Sequence, residues 1–308
     1  VADIFQRAVL TDLVPGVIGA AEWDLVSTGV RQRVRVLEAF LADVHGPGRA
    51  FDDGVIPWRL LFTSGKFRRE AAGVTPPNGV RVHVAAIDVI RGEQGKFRVL
   101  EDHVGVPSGV GRVLAKAHQV DEHPPRLLTA LRAAAPHGVA DPFIVVLTPG
   151  ADNAGYCEHT LLARLMGVEL VEGRDLFCSR NRVYLPTSRG VRAVDVVYRR
   201  VEDDWLDPLH FRPDSLLGCA GLVNAARHGT VTIANALGNG VADDKLIYPY
   251  MPDLIRYYLD EEPILGNVGS YRQLAPRHVG LRAFAVNDGT GIWVLPGDQA
   301  PVARERDG

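Results

Sequence analysis

Five consecutive apolar residues, Phe143-Ile144-Val145-Val146-Leu147, constrain the fold of this chain more than any other segment. A strand with one wet face alternates apolar and polar residues, whereas a short unbroken apolar run fits a strand covered on both faces. Thr148-Pro149-Gly150 ends the run. A helix is predicted over 158–166 and a further strand over 168–171, with more strand candidates at 194–197 and 231–234. Strands alternating with helices predict a Rossmann-like α/β unit. The GxGxxG fingerprint is absent, so a dinucleotide is not implied.

The first half of the chain has a different texture. Val30, Val34, Leu37, Leu41 and Val44 recur at steps of four and three, which predicts a helix over 29–45 that Gly46-Pro47-Gly48 stops. Residues 80–88 alternate, with Val80, Val82, Val84 and Ala86 on the side of Asp88. A turn at 91–95 and a returning strand at 97–103 follow, and a late helix is predicted over 244–260. A length of 308 residues suggests about two domains. A net charge of −3 offers no electrostatic case for nucleic acid or an anionic membrane. No apolar run approaches a membrane span, and no signal peptide opens the chain, which starts on Val rather than Met. Cys157, Cys178 and Cys219 form neither a CxxC pair nor a metal spacing, so a reducing cytoplasm is expected.

Several groups could do chemistry. On a strand, Glu101 and His103 project together while Asp102 points away. Asp88 closes an apolar face on the preceding strand, a costly place for a carboxylate unless a cation or donor neutralises it. Such a set suits Mg²⁺ holding nucleotide phosphates, although carboxylates at a solvated hairpin end are the simpler alternative. The turn Pro107-Ser108-Gly109 offers a hydroxyl and backbone N–H groups to an anion, or is merely a turn. Asp243-Asp244-Lys245 follows Gly238-Asn239-Gly240. Lys245 at a helix start fits phosphate, and the aspartates fit equally well as N-terminal caps. Arg199 and Arg200 close an apolar strand, facing either the ligand crevice of an α/β sheet or the acidic run Glu202-Asp203-Asp204. Cys157-Glu158-His159 is a poor nucleophile–base set, because adjacent helix residues do not face each other.

Taken together, these segments resemble one family. Val99-Leu100-Glu101-Asp102 with Val106-Pro107-Ser108-Gly109-Val110, and Gly167-Val168-Glu169-Leu170-Val171-Glu172-Gly173-Arg174-Asp175-Leu176, carry part of the likeness. Tyr198-Arg199-Arg200-Val201, Phe211-Arg212-Pro213-Asp214-Ser215-Leu216-Leu217 and Gly240-Val241-Ala242-Asp243-Asp244-Lys245 carry the rest. These blocks, spread over residues 34–265, are similar to the circularly permuted ATP-grasp family. The resemblance implies an ATP-grasp-like α/β fold (with α+β elements) and an inserted Rossmann-like pre-ATP-grasp unit. It divides the chain into residues 1–140, the start of the core with the metal carboxylates, 141–235, the Rossmann-like unit, and 236–308, an incomplete nucleotide-binding and C-terminal part.

The implied chemistry is similar to that of glutathionylspermidine synthase, in which ATP phosphorylates a carboxylate and an amine attacks the acyl phosphate. Small-molecule or peptide carboxylates and amines would be the substrates, with ATP and Mg²⁺ as cofactors. By the resemblance Asp88 and Glu101 hold Mg²⁺, Lys245 with Asp244 contacts ATP, Ser108 lies near the acceptor or acyl group, and Glu158 sits where a related synthase binds its amine. Arg199 and Arg200 are candidate catalytic ligands of phosphate or carboxylate. Alpha-helical, transglutaminase-like and proteasome-like proteins encoded near bacterial members are the implied protein partners.

Two departures stand out. His103 occupies the place of an Asn in the family's Leu-Glu-Asp-Asn pattern, and imidazole suits Zn²⁺-type ions better than Mg²⁺. Between Tyr271-Arg272 and Gln273-Leu274-Ala275-Pro276-Arg277-His278 the family carries a long segment with a second lysine and a glycine-rich phosphate loop. That segment is expected to be missing from this sequence, as is a shorter one near Ala115-Lys116. A catalytically inactive scaffold that binds a partner, and a metal hydrolase centred on His103, are the competing expectations.

Overall fold

The computed structural model describes residues 18–92, 95–111, 114, 122–269 and 279–301. The expected junctions at 115–116 and 272–273 lie outside these residues. In chain order, β1 (Val84–Arg91) and β2 (Phe97–His103) form a hairpin, and β3 (Ile144–Leu147) and β4 (Glu169–Val171) flank the helix Tyr156–Met166. Three short strands follow, β5 (Phe177–Ser179), β6 (Arg182–Thr187) and β7 (Gly190–Val194), then β8 (Val196–Arg199) and β9 (Thr232–Ala234). The two-residue β10 (Gly266–Asn267) precedes a last hairpin of β11 (Val279–Asn287) and β12 (Ile292–Pro301).

These strands make three sheets in a mixed α/β fold. The first has the order β10-β2-β1-β11-β12, so the last hairpin of the chain completes the sheet that the first one starts. The second has the order β4-β3-β8-β9 and all its pairs are parallel. The third is the antiparallel ribbon β5-β6-β7.

The layers follow from which faces are apolar. Ala85, Ile87, Val89 and Val99 cover one face of the first sheet and pack with Val30, Val34, Leu37 and Leu41 of the long helix Ala20–Val44. The opposite face offers Val84, Ala86 and Phe284 to Leu127, Leu131 and Leu162, and through them to Ile144, Val146 and Tyr198 of the second sheet. The other face of that sheet, Val145, Leu147, Val197 and Ile233, packs with Leu222, Val223, Val183 and Val194. Strand β3 is therefore buried along its whole length, as its unbroken apolar run predicts. Among the described residues no helix is long and apolar enough to cross a membrane.

Element limits differ from the sequence expectations for identifiable reasons. The first helix begins at Ala20, where Glu22 accepts the Gly19 N–H. Strand β1 begins at Val84 rather than 80, because Glu38 takes the N–H groups of Arg81 and Val82. The expected helix 244–260 is reduced to Met251–Leu259, preceded by 3₁₀ turns at Asn239–Asp243 and Tyr248–Tyr250. Pro249 lacks an N–H and disfavours a helical residue before it. The ribbon at 177–194 and the hairpin at 279–301 are absent from the sequence reading.

Two buried asparagines join the first and second sheets. Asn235, just beyond β9, donates to the carbonyls of Val84 and Val104 and accepts the Val84 N–H. Asn239 donates to the carbonyls of Arg81 and Val104. On the helix side of the first sheet, the Arg33 guanidinium grips both Asp102 oxygens at 2.8 and 2.7 Å, with both side chains 1% exposed. Arg33 also donates to Asn267 Oδ1, which ties β10 to the same anchor.

Removing one partner of a buried ion pair leaves an uncompensated charge. Asp102→Asn is therefore expected to lower the unfolding free energy by about 3–5 kcal/mol in urea titrations. The double change Arg33→Met with Asp102→Leu should recover most of that loss. A double variant as unstable as the single one would show that the pair acts by something other than charge compensation.

Candidate active site

The hairpin β1–β2 builds one half of the site. Val89 pairs with Val99 while Asp88 pairs with Glu101, so Leu100 is the extra residue of a bulge. Leu100 packs with Ile90 and Val268, and Glu101 comes directly opposite Asp88. His103 stands opposite Ala86 on the same face, with Nε2 at 3.4 Å from Asp88 Oδ2 and 3.3 Å from Glu101 Oε2. One ligand atom from each of Asp88, Glu101 and His103 lies within 4.8 Å of the others. Asp102 points to the opposite face, as alternation requires.

Arginine 282 completes this half from β11, where it pairs with Asp88. Its Nε and Nη2 hold the two Asp88 oxygens at 2.6 Å each, and Nη2 lies 3.5 Å from His103 Nε2. Burial alone would push the Asp88 carboxyl up, but hydrogen bonds and charge from Arg282 and His103 prevail and hold it below the usual range. Burial alone would likewise depress His103. Its hydrogen bonds to Asp88 and Glu101, together with the Asp88 charge, instead raise it to about 9.

The loop after β2 joins this cluster to the second sheet. Arg282 Nη1 donates to the Ser108 carbonyl at 3.0 Å, and Arg200 Nη1 donates to the Pro107 carbonyl at 2.6 Å. The N–H groups of Gly109 and Gly111 both point at Glu158 Oε2, at 2.8 and 3.1 Å. Arg200 Nη2 holds the other oxygen of Glu158 at 2.9 Å. The turn Pro107-Ser108-Gly109, open in the sequence to an anion or to a plain turn, thus joins Gly111 in cradling an internal carboxylate. A side chain at Gly111 would not fit, since its Cβ would fall 2.9 Å from Glu158 Cγ. Arg200 follows β8 and Glu158 lies in the first turn of the helix Tyr156–Met166. Both therefore stand at the carboxyl end of the parallel sheet, where such sheets bind ligands.

Lys245 and Asp244 occupy a third position. Lys245 Nζ lies 3.6 Å from Glu101 Oε1, on a side chain that is 58% exposed. It precedes a 3₁₀ turn, not an α-helix, so no α-helix N-terminus assists it. Asp244 accepts the Leu246 N–H and the Ser64 hydroxyl, a local turn of the Asx kind. Asp243 caps the end of β2 instead, accepting the N–H groups of Val104 and Gly105. Burial raises its carboxyl to about 7.

The structure therefore brings Asp88, Glu101, His103, Ser108, Glu158, Arg200 and Lys245 into one connected region. Arg199 points elsewhere. Its guanidinium donates to the carbonyls of Asn235, Val201 and Ala236 and pairs with Asp203 at 2.9 Å. Sequence reasoning overlooked Arg282. Its contact with Asp88 spans 194 residues and has no local signal.

Comparisons with known proteins agree with this architecture. A family model described as a circularly permuted ATPgrasp matches residues 15–280. Uncharacterized protein ML0605 of Mycobacterium leprae is 44% identical over 386 aligned positions, covering 97% of this chain and 69% of the relative. Uncharacterized protein sll0335 of Synechocystis is 44% identical over 86% of this chain and 59% of its own length. Putative glutamate–cysteine ligase 2-2 of Frankia casuarinae is 43% identical over 87% of this chain, but over only 33% of that protein. The 386 positions aligned with ML0605 exceed the 308 residues here, so that relative carries residues inside the match that have no counterpart in this chain.

The raised His103 value has a direct consequence. Its ion pairs are complete below the ordinary histidine value of 6.5, and their stabilisation is lost as the pH rises through about 9. In the metal-free protein, NMR titration of the His103 ring is expected to give a midpoint near 9. Asp88→Asn should move that midpoint down. An unchanged midpoint in the variant would rule out Asp88 as a cause of the shift.

Proposed function

The chain belongs to the circularly permuted ATP-grasp family, and on that premise we propose that it is an ATP-dependent carboxylate–amine ligase forming an amide or peptide bond. One observation carries the reading. The acidic cluster on the first sheet is joined, through Arg282 and the loop Pro107–Gly111, to Arg200 and Glu158 at the carboxyl end of the second. Two substrates can then meet where cationic groups and N–H donors converge.

The reaction needs positioning and charge stabilisation more than a side-chain nucleophile. A substrate carboxylate oxygen attacks the γ-phosphorus of ATP, the bond to the β-phosphate oxygen breaks, and ADP leaves an acyl phosphate. The amine nitrogen then attacks the acyl carbon, inorganic phosphate departs, and the nitrogen loses its proton. In this scheme Lys245, with Asp244 shaping its turn, faces the nucleotide phosphates. Arg200 and the N–H groups of Gly109 and Gly111 hold the Glu158 carboxylate in place near Ser108, and the remaining lone pairs of that carboxylate receive the cationic amine. Arg199 anchors the loop after β9 and supports the site from below.

Two carboxylates, Asp88 and Glu101, suit Mg²⁺, but the imidazole of His103 beside them does not. Residues 141–235, which contain the parallel sheet, are read as the inserted pre-ATP-grasp unit. The reaction order is proposed by the resemblance of the sequence blocks to glutathionylspermidine synthase, with a carboxylate and an amine as the substrate classes. The Frankia casuarinae relative shares only a third of its length with this chain, so its name describes mostly what lies outside the match. A second reading, an inactive scaffold, has one observation in its favour: Arg282 already neutralises Asp88.

The deciding measurement is ADP release by the full chain with ATP and a divalent ion. A panel of amino acids and short peptides would serve as carboxylates, and amino acids and polyamines as amines. Release is expected only when both are present, with a loss of about 10²–10³-fold in Glu101→Ala at unchanged fold. If ATP fails to bind in calorimetry and Glu101→Ala behaves as wild type, the scaffold reading replaces the ligase.

A further inference from the structure

The donor set of the acidic cluster departs from what a pure Mg²⁺ site offers. Asp88 and Glu101 supply hard oxygens from two paired strands, and the third donor is the Nε2 of His103. That ring does not turn away from the carboxylates. It lies 3.4 and 3.3 Å from their nearest oxygens, on the same face of the hairpin. The three side chains are partly open, between 19% and 31% exposed, which leaves room for an ion to enter with some of its water.

Mg²⁺ prefers a near-octahedral shell of oxygens and dehydrates reluctantly, so an imidazole adds little to its binding. First-row transition ions take imidazole and carboxylate together. Arg282 does not close the site. Each of its bonds uses one lone pair of an Asp88 oxygen, and each carboxylate oxygen can accept more than one partner. The bulge at Leu100 matters here, because it sets Glu101 directly opposite Asp88 with His103 two residues on.

We propose that Asp88, Glu101 and His103 form a site for a divalent first-row transition ion, of the Mn²⁺ or Zn²⁺ class, in preference to Mg²⁺. The inference rests on the ligase reading for the role of the ion, while ion binding itself can be measured without turnover. His103 is the residue that sets the preference, and the carboxylates set the affinity common to all divalent ions.

The test uses the metal-free full chain without nucleotide. Bound Mn²⁺ is measured by loss of its free electron paramagnetic resonance signal, with Mg²⁺ and Zn²⁺ as separate competitors. Mn²⁺ is expected to bind at least about tenfold tighter than Mg²⁺, and Zn²⁺ tighter still. Electron spin echo modulation of the bound Mn²⁺ should show coupling to an imidazole ¹⁴N. His103→Asn should abolish that coupling and bring Mn²⁺ and Mg²⁺ to within about threefold of each other. His103→Gln provides a second variant if the first fails to fold by circular dichroism.

Absence of bound Mn²⁺ overturns the proposal, as does equal competition by Mg²⁺, or ¹⁴N coupling that survives in either variant. The two readings fail separately. A chain that binds Mn²⁺ through His103 yet releases no ADP keeps the ion preference and loses the ligase. One that releases ADP but binds Mg²⁺ and Mn²⁺ equally keeps the ligase and loses the preference.

Discussion

The grip of Arg33 on Asp102 is the interaction from which the rest of the site can be traced. Alternation along β2 makes Glu101 and His103 neighbours on one face and sends Asp102 to the other. A one-residue slip would exchange those faces, putting Glu101 and His103 against the apolar side of the long helix. Arg33 makes that slip unfavourable, because it would break the buried bidentate grip on Asp102 and bring the His103 ring as well as Glu101 onto the apolar side. Hydrophobic burial holds the helix on the sheet, and the ion pair fixes the register.

A fixed hairpin is not yet a site, because the second half of the machinery lies on another sheet. The junction relies on backbone polar groups at strand ends, which must be satisfied when buried. Asn235 and Asn239 satisfy those of Val84, Arg81 and Val104, and so lock the ends of β1 and β2 to the loop after β9. Glu158 does the same for the N–H groups of Gly109 and Gly111, from the opposite direction. The loop Pro107–Gly111 is thus held at its carbonyls by two arginines and at its N–H groups by one carboxylate. Its charged neighbours come from β8, β11 and a helix, so the geometry depends on three separate elements keeping their places.

The local parts of this arrangement were readable in the sequence. The run Phe143–Leu147 announced a strand buried on both faces, and steps of two along β2 separated Asp102 from its neighbours. The turn at Pro107-Ser108-Gly109 was recognisable as a turn, while its use as an anion cradle stayed one of two alternatives. What escaped was non-local. Arg282 meets Asp88 because β11 returns to pair with β1, and no pattern within either strand records that return. The late helix is shorter than 244–260 because Pro249 falls inside that span, and the backbone there obeys the proline. The bulge at Leu100 was invisible for a related reason: an extra residue in a strand shows only against its partner.

The neighbouring arginines after β8 show how a single alternation divides support from chemistry. Arg199 and Arg200 looked equivalent as a pair closing an apolar strand, with a ligand crevice and an acidic run as rival destinations. Successive strand residues face opposite sides, so the two cannot share one destination. Arg199 turns to Asp203 and to three backbone carbonyls, where a fully buried guanidinium finds donors' partners enough to offset its desolvation. Arg200 turns to Glu158 and to the Pro107 carbonyl of the loop. The acidic run is therefore the destination of Arg199 alone, and Arg200 pairs with Glu158. The same rule separates Asp102 from Glu101 and His103. In both strands, the side chain that holds the fold sits next in sequence to the one offered to the site, and strand geometry keeps the two tasks apart.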